Sequence, residues 1–427
     1  MVTTYKENRI LPVAIILACL VLYYNLVDTS LPRFGGVKAS TNITAQSSTA
    51  GSTSSRQNQP SQSDSREKLK NDDLLLIMKT GGTSTYNRLL SHLITSLSPE
   101  RISPGNTVIY SDYVETIGNF TTIDILTNLT EATKSHPDFD VYRAVPQYFS
   151  NNVYIESANI EGDHPGPVGG WVVDKYKFLP LMDHAGRNWP NARWYVFMED
   201  DAYIFLPNVL EYLSSFDSTA PHYLGSYAFL SNTTFAHGGS GFALSRGAWE
   251  VSFGKNPRLV DDYSEYTRQH GCGDQILGRA LNDYGVHFGE NGEGKFTWGF
   301  NSIVHWKFGF HKENWCVPIF SWHKAHSRDV ARYYELEKSW GYETPLLYGD
   351  FFKKIIAPDL ADRREWWDNL SAQFEITSGN AQSPPAPKSR YNAGIWADAW
   401  KSLDGCEKAY SPFYNSAANT VRKISIA

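Results

Sequence analysis

The sequence is poor in cysteine and has no long run of basic residues. Its 427 residues include four cysteines, and no two are spaced as a Cys-x-x-Cys pair, which argues against a cysteine-ligated zinc site. The formal net charge is -6 at pH 7, which disfavours a nucleic-acid-binding protein. No internal repeat is visible, and the length suits one large domain with appended segments.

Aromatic residues, by contrast, are abundant. They make up 14% of the chain, with 13 Trp and 25 Tyr, and apolar residues reach 41%, enough to bury a core. Aromatic faces suit the recognition of sugar rings, whereas a tryptophan-rich core is the simpler explanation for any single Trp.

An uncharged apolar stretch at residues 10–27 is about the minimum length for a membrane-spanning helix. Lys6 and Arg9 precede it and Asp28 follows. Positive charge on the short N-terminal side predicts a cytoplasmic tail at residues 1–9 and a lumenal C-terminal part. The alternative is a cleaved signal peptide, but the run is long for one and no clear small-x-small cleavage site follows.

The rest of the chain divides by composition. Residues 28–71 are rich in Ser and Thr and predict a disordered stem, 72–378 a folded domain and 379–427 a C-terminal extension of uncertain role. Sequons for N-glycosylation agree with a lumenal position without proving it, and they lie at Asn42, Asn119, Asn128, Asn232 and Asn369.

One disulfide and one unpaired thiol fit the three cysteines outside the apolar stretch, which contains Cys19. Spacing does not determine which of Cys272, Cys316 and Cys406 pair, and we predict a bond between Cys272 and Cys316.

Apolar runs alternate with helical segments in the folded part. Leu74–Met78, Thr107–Ser111 and Tyr195–Met198 predict buried strands. A helix is predicted from Thr83 to about Leu97, and another near Ile123. This alternation predicts an α/β layered domain with a mostly parallel sheet.

Three carboxylates follow the third of these strands, at Glu199, Asp200 and Asp201. The carboxyl ends of parallel strands are where ligands bind in open α/β sheets. Adjacent carboxylates repel one another unless a cation offsets their charge, and Mg²⁺ or Mn²⁺ takes carboxylate and diphosphate oxygens together. The alternative is a solvated acidic turn.

Two further segments carry candidate chemistry. Gly238, Gly239, Ser240 and Gly241 permit positive φ and close approach of a ligand to the backbone, although glycine clusters are often simple turns. No Lys-Ser or Lys-Thr follows, so this is not a P-loop. Asp274 lies where helical apolar spacing begins, a position that also suits a helix cap.

Five segments in order resemble the Fringe and core 1 β1,3-galactosyltransferase group, a glycosyltransferase family 31 type, and especially its fungal members. The acidic segment resembles the DxD region of that group, and the resemblance extends over about residues 70 to 350. The segments are Gly170–Pro180, Arg193–Leu213, Ala236–Arg246, Gly271–Leu281, and Ser321–His323 followed by Tyr333–Glu337.

The resemblance implies a GT-A-like fold and an inverting hexosyltransferase, β1,3-linking, that uses Mn²⁺ or Mg²⁺. UDP-galactose is the favoured donor, with UDP-GlcNAc and UDP-glucose still open, and the acceptor is a hydroxyl of a glycan or glycoprotein. It also implies a type II protein of the Golgi or ER membrane.

The resemblance assigns roles to individual residues. Asp274 is the general base, and Asp201 and His323 hold the metal, with His326 as a competitor for the second position. Lys79 and Thr80 lie where the family binds the nucleotide.

Asp174 and Lys175 are assigned to the same pocket, although a surface ion pair is the simpler explanation for these assignments. Glu199 and Asp200 complete the nucleotide-sugar site, and the glycine segment at 238–241 would let a donor or acceptor sugar lie against the backbone. Two departures stand out, since Glu199 replaces the usual Asp and Ala202 replaces a common Thr. They leave the role of Glu199 open, because its longer side chain reaches ribose or metal-bound water.

Two other functions compete with this interpretation. A non-catalytic lectin-like or chaperone protein on the same fold should have lost the acidic motif, the base or the late His, and the chain retains all three. A metal-dependent lumenal hydrolase needs more His or Asp ligands near the acidic motif. Binding of UDP separates a transferase from a hydrolase.

Overall fold

The central element is a six-stranded sheet with helices on both faces. The computed structural model describes residues 68–151, 170–289, 299–341 and 343–360, and the backbone of Glu375–Ile376 and Ser425–Ile426. The predicted anchor at residues 10–27 and nearly all of the predicted stem and C-terminal extension lie outside these residues. Within the described ranges, no helix is long and apolar enough to cross a membrane.

Parallel pairing dominates the sheet. Strand β1 pairs in parallel with β2 and β6, β2 pairs in parallel with β5, and β11 is antiparallel to both β6 and β8. The predicted mixed α/β architecture with a mostly parallel sheet is confirmed. The strands lie in the order β5 (Ile123–Asp124), β2 (Thr107–Ser111), β1 (Leu74–Lys79), β6 (Trp194–Glu199), β11 (Phe242–Ser245) and β8 (Tyr223–Gly225).

The remaining strands form two-stranded pairs. They are β3 (Thr116–Ile117) with β4 (Phe120–Thr121), β7 (Ala202–Ile204) with β12 (Ser321–His323), β9 (Tyr227–Leu230) with β10 (Thr233–Ala236), and β13 (Glu375–Ile376) with β14 (Ser425–Ile426).

Helical segments connect the strands. Turns of π-helix lie at Thr85–Leu89, Glu250–Gly254 and Phe352–Ile356. Short 3-10 helices lie at Asn71–Asp73, Pro104–Asn106, Pro137–Phe139, Gly238–Ser240, His305–Lys307 and Ala357–Asp359. The α-helices are α1 (Leu90–Leu93), α2 (Glu131–Lys134), α3 (Asp140–Ser150), α4 (Gly170–Asp174), α5 (Phe178–Asn188), α6 (Leu206–Leu213), α7 (Arg246–Trp249), α8 (Leu259–Asp262), α9 (Ser264–Gln269), α10 (Gly273–Asp283), α11 (Ser327–Trp340) and α12 (Tyr348–Phe351).

The continuous apolar run of β1 has a simple cause, because both faces of the strand are buried. Leu75 and Ile77 belong to a core with residues of α5 and α10, whereas Leu76 and Met78 belong to a second core with residues of α1 and α6. Strands covered on both faces lose the alternation of polar and apolar residues.

The predicted helix near Ile123 is wrong. Ile123 and Asp124 form β5, which extends the sheet by pairing with Tyr110 and Ser111, and the next helix begins only at Glu131. The preceding residues, Thr121 and Thr122, are β-branched like Ile123 and favour an extended backbone.

A third core packs beside the pair β7–β12 and is strongly aromatic. We call it the aromatic cluster. Several of its rings meet edge to face, which is the favoured geometry for such pairs. It contains Tyr203, Phe205, Phe310, Trp322, Tyr333, Tyr348 and Phe351, all of them buried.

Candidate active site

The carboxyl ends of β1 and β6 bring the predicted site residues together. Lys79 is the last residue of β1 and lies in register with Glu199, the last residue of β6. Thr80 and Ser84 each donate a hydroxyl hydrogen bond of 2.7 Å to the same oxygen of Asp200, Oδ2. Asp200 is therefore fixed to the turn that follows β1.

Asp201 and His323 face each other across two paired strands. Asp201 directly precedes β7, His323 is the last residue of β12, and the antiparallel register sets His323 opposite Ala202. His323 Nε2 lies 3.4 Å from Asp201 Oδ1, a buried oxygen that has no hydrogen-bond partner among the described residues.

The second ring nitrogen of His323 orients the imidazole. Nδ1 lies 2.9 Å from the carbonyl oxygen of Ser302, and only a protonated Nδ1 can donate to it. In the neutral ring, Nε2 then carries a lone pair directed toward Asp201. Metal-ligating histidines are commonly oriented by a backbone carbonyl in this way.

The pair therefore fits the predicted divalent cation, with one imidazole nitrogen and one unsatisfied carboxylate oxygen. Burial alone would raise the pKa of Asp201, but His323 and Arg88 outweigh it and hold that pKa below its usual range. Burial likewise opposes the effect of Asp201 on His323, whose pKa is nevertheless raised. Among the described residues, no three His, Cys, Asp or Glu side chains form a metal-binding group.

Arg88 contacts both Asp200 and Asp201, which we call the acidic pair, and it was not predicted as a site residue. It lies in the π-helical turn Thr85–Leu89, and its Nη1 is 3.3 Å from both Asp200 Oδ1 and Asp201 Oδ2. Arginine is common on helices, and its position nine residues after the end of β1 was no distinctive signal.

Asp274 is the second residue of α10 and contacts the glycine segment. Its Oδ2 accepts a 2.8 Å hydrogen bond from the backbone N–H of Gly238, and its Oδ1 accepts one of 2.8 Å from the N–H of Gln275. Burial raises the pKa of Asp274, against these hydrogen bonds. The predicted helix start is confirmed.

The glycine segment fits closely between Asp274 and the His323 ring. A Cβ on Gly239 would lie 2.3 Å from His323 Nε2, so only glycine leaves room for the imidazole. Gly241 has φ 75°, a conformation that other residues adopt at a cost. Gly238 and Ser240 are buried.

Lys79 and Asp174 belong to a buried ion-pair network rather than to a surface pair. Lys79 pairs with Asp174 and lies 3.3 Å from Glu199. Lys177, which the sequence analysis missed, lies 2.9 Å from Asp174 and 3.0 Å from Asp112. The network is held near the strand ends, since Lys177 also donates to the carbonyl of Thr80.

Lys175 is directed elsewhere. Its ammonium lies 2.9 Å from Asp138 and donates to the carbonyl of Arg268. Among the predicted nucleotide-binding residues, Lys79, Thr80 and Asp174 adjoin the carboxylates, whereas the charge of Lys175 is paired with Asp138.

The pKa of Glu199 is shifted in the opposite direction to that of Asp201. Burial, reinforced by Asp174 and Asp201 and opposed by Lys79, raises its pKa to about 7. Its ionised form is thus disfavoured beside two other carboxylates.

His92 contacts the backbone of the acidic turn at Asp200, and it was not predicted as a site residue either. It is fully buried, its Nε2 lies 3.0 Å from the carbonyl oxygen of Asp200, and its Nδ1 lies 2.8 Å from Ser96 Oγ. Burial lowers its pKa to about 4, so the ring is neutral at pH 7. A His and a Ser four residues apart on a helix were the only sequence signal.

The predicted disulfide between Cys272 and Cys316 is not formed. Cys272 directly precedes α10, whereas Cys316 is exposed on the segment next to the aromatic cluster, so the two lie in different parts of the fold. Spacing alone had not determined the pairing. Asn119, Asn128 and Asn232 are exposed, and the sequons at Asn42 and Asn369 lie outside the described residues.

Comparison with known protein families identifies part of the chain. Residues 106–253 match the family model described as Fringe-like. The matched segment includes Glu199, Asp200, Asp201 and the glycine segment, and it ends before Asp274 and His323. No curated protein matches the chain. The chain therefore carries a Fringe-like domain over residues 106–253, and the Fringe-like family is a glycosyltransferase family of the family 31 type.

Proposed function

We propose that this protein is an inverting, metal-dependent hexosyltransferase that moves a sugar from a UDP-sugar to a hydroxyl of a glycan or glycoprotein. The observation that carries the proposal is the arrangement of Asp201, His323 and Asp274 around one glycine segment. Galactose is the favoured sugar and a β1,3 bond the favoured linkage, both by family resemblance, and the fold is accordingly of the GT-A type.

Asp201 and His323 would hold Mn²⁺ or Mg²⁺, because their facing atoms are an unsatisfied carboxylate oxygen and an imidazole nitrogen 3.4 Å apart. The cation supplies neutralisation of the charge that develops on the departing diphosphate. Asp200 is already held by two hydroxyls, so its part is to fix the acidic turn.

Asp274 is the proposed general base. The acceptor oxygen forms a bond to the anomeric carbon as the bond from that carbon to the diphosphate oxygen breaks, and the acceptor proton passes to the Asp274 carboxylate. A single displacement inverts the configuration at that carbon. Because burial raises its pKa, the Asp274 carboxylate is a stronger proton acceptor than an exposed one.

The nucleotide is proposed to lie along the ends of β1 and β6, beside Lys79, Thr80, Asp174 and Glu199. Lys79 and Lys177 are paired with buried carboxylates, so they shape the wall of this site as a fixed network. The contribution of Lys175 to the pocket is then indirect, through its backbone next to Gly273.

We further propose a type II protein of the Golgi or ER membrane, anchored by residues 10–27 with its catalytic domain in the lumen. Sequons at exposed positions agree with this compartment. Treatment of the protein expressed in eukaryotic cells with an endoglycosidase should increase its electrophoretic mobility, and unchanged mobility would count against a lumenal domain.

The test of the function is a donor screen. Purified full-length protein is incubated with UDP-galactose, UDP-GlcNAc or UDP-glucose, a panel of glycan acceptors, and either Mn²⁺ or EDTA, and released UDP is measured. UDP release that needs Mn²⁺ and is lost in Asp274→Asn supports the proposal. Binding of UDP-sugars without turnover in any combination would indicate the lectin-like or chaperone alternative instead.

A further inference from the structure

Arg88 occupies an unusual position for a charged side chain. A single nitrogen, Nη1, is shared between Asp200 Oδ1 and Asp201 Oδ2 at 3.3 Å each. Ion pairs of this type are usually 2.7 to 2.9 Å long and often two-pronged. The arginine side chain is 46% exposed, whereas those of Asp200 and Asp201 are 6% and 18% exposed. The guanidinium is therefore loosely held at the rim of a buried acidic pair.

The acidic pair needs a cation in this position. Two neighbouring carboxylates with little access to water destabilise one another unless positive charge lies beside them. Arg88 supplies that charge, yet a divalent cation between Asp201 and His323 would supply it too. Two cations beside one carboxylate repel each other, so Arg88 and the metal compete for Asp201.

Other cations at the strand ends are less free to move. Lys79 and Lys177 are fully or nearly fully buried, and each pairs with more than one carboxylate. Arg88 extends from a short helical turn at the carboxyl edge of the sheet, with half of its side chain in solvent. A planar guanidinium also matches the oxygens of a diphosphate.

We propose that Arg88 neutralises Asp200 and Asp201 when no divalent cation is bound, and that it turns to the diphosphate of a bound nucleotide. Nucleotide and cation then bind cooperatively, because the diphosphate removes the charge that competes with the metal. The inference rests on the proposed function, since it requires a metal and a UDP-sugar at this edge of the sheet.

The experiment measures binding rather than turnover. Mn²⁺ affinity is measured by electron paramagnetic resonance on full-length protein with and without UDP, and UDP affinity by calorimetry with saturating Mn²⁺. The variants are Arg88→Met, Arg88→Lys and, as a control, Arg187→Met. Arg187 is 41% exposed and pairs with Asp183 on α5, whose last turn lies at the opposite edge of the sheet.

In Arg88→Met, Mn²⁺ alone should bind more tightly than in the wild type, because its competitor is gone. UDP should bind about tenfold to a hundredfold more weakly, the usual effect of losing a hydrogen bond to a charged group. Arg88→Lys keeps a positive charge, so it should bind UDP more tightly than Arg88→Met does. It should also bind Mn²⁺ alone more weakly than Arg88→Met does. Arg187→Met should match the wild type in both measurements.

Unchanged or weaker binding of Mn²⁺ alone in Arg88→Met would contradict the proposal that Arg88 competes with the metal. Unchanged UDP affinity in this variant would contradict the proposal that Arg88 turns to the diphosphate. Both results leave the proposed function standing if the wild type binds UDP with Mn²⁺. A wild-type protein that binds no UDP with any cation overturns the proposed function, and this inference with it. Thermal unfolding of each variant confirms that the binding measurements compare folded proteins.

Discussion

The carboxyl ends of the sheet strands and the aromatic cluster are neighbouring regions of opposite chemical character. The first is rich in charged side chains, and the second consists of buried aromatic rings. Around Asp201 the structure packs carboxylates, lysines and an arginine, several at distances longer than an ideal ion pair. The aromatic cluster is a group of packed rings in which Trp322 and Tyr333 are fully buried.

The two regions share a pair of strands. Tyr203 and Trp322 pair across β7 and β12 in the aromatic cluster, and the next positions are Ala202 and His323. The backbone that carries the imidazole is therefore fixed by apolar packing one residue away. Side chains that must hold a charge in a fixed geometry are best supported by rigid neighbours of this kind. Changes in the polar region should affect function, and changes in the aromatic cluster should affect stability.

The largest effect is expected at Asp274. Asp274→Asn keeps the shape and one acceptor oxygen but cannot take a proton, so sugar transfer should fall by about 10² to 10⁴-fold with UDP affinity unchanged. Stability should fall moderately, because Asn offers one acceptor oxygen to the two backbone N–H groups, of Gly238 and Gln275, that Asp274 accepts. The measurements are initial rates, calorimetry with UDP and thermal unfolding.

Asp283→Asn is the matched control, since it removes an exposed carboxylate from the last turn of the same helix, where it pairs with Arg279. It should leave the rate unchanged. Near wild-type transfer in Asp274→Asn would assign the base to another residue, with Asp261, Asp262 and Glu265 the next to test.

The second-largest effect is expected in the aromatic cluster, where a substitution should lower stability and leave the transfer rate unchanged. Phe351 is fully buried in the aromatic cluster, where its ring packs against Trp322 and Tyr333. Phe351→Ala should lower the free energy of unfolding by about 3 to 5 kcal/mol, through lost burial and the cavity it leaves. The transfer rate per folded molecule should be retained well below the melting temperature.

Denaturant unfolding and rates normalised to folded protein check this prediction. Phe351→Leu, which keeps most of the volume, should cost much less. A tenfold or larger loss of rate in folded Phe351→Ala would mean that the two regions are coupled more strongly than their shared strands imply.

The third effect depends on pH and concerns His92. Its folded pKa of about 4 lies below the unfolded value near 6.5, so the unfolded chain binds the proton first as pH falls. Stability from this group is full above pH 6.5 and is lost toward pH 4, roughly 3 kcal/mol in all.

His92→Gln keeps a donor toward the carbonyl of Asp200 and removes the titration. The free energy of unfolding of the variant should therefore decline less steeply than that of the wild type between pH 6.5 and 4. Equal slopes would show that His92 is not the group responsible. His305, whose pKa burial lowers to about 3 beside the aromatic cluster, should still contribute its own acid destabilisation in both proteins.

The fold was largely predictable because its strands are buried on both faces. Thr107–Ser111 was predicted with its observed bounds, and the other two strands differ only at their ends. The short β5 was not predictable, because two residues beside a threonine run have no periodicity to read. Their state depends on pairing with β2, which is a tertiary effect.

The site was predictable only in part, for a physical reason. Asp201, His323 and Asp274 were assigned from motifs in sequence order, and the structure brings them to one glycine segment. Charge partners are a different matter, since a lysine in a sequence does not reveal which carboxylate it meets. Lys175 and Lys79 illustrate this. Both were predicted to bind the nucleotide, but Lys175 pairs with Asp138, whereas Lys79 is buried beside Glu199.

The central claim is that nucleotide binding depends on a cation held by Asp201. The most direct test is to measure the UDP affinity of Asp201→Ala with and without Mn²⁺. Asp183→Ala is the control, because Asp183 pairs with Arg187 on α5. The wild type and the control should bind UDP much more tightly with Mn²⁺ than with EDTA, whereas Asp201→Ala should bind UDP equally weakly in both. An Asp201→Ala protein that unfolds at the wild-type temperature and keeps the full Mn²⁺ dependence of UDP binding would contradict the claim.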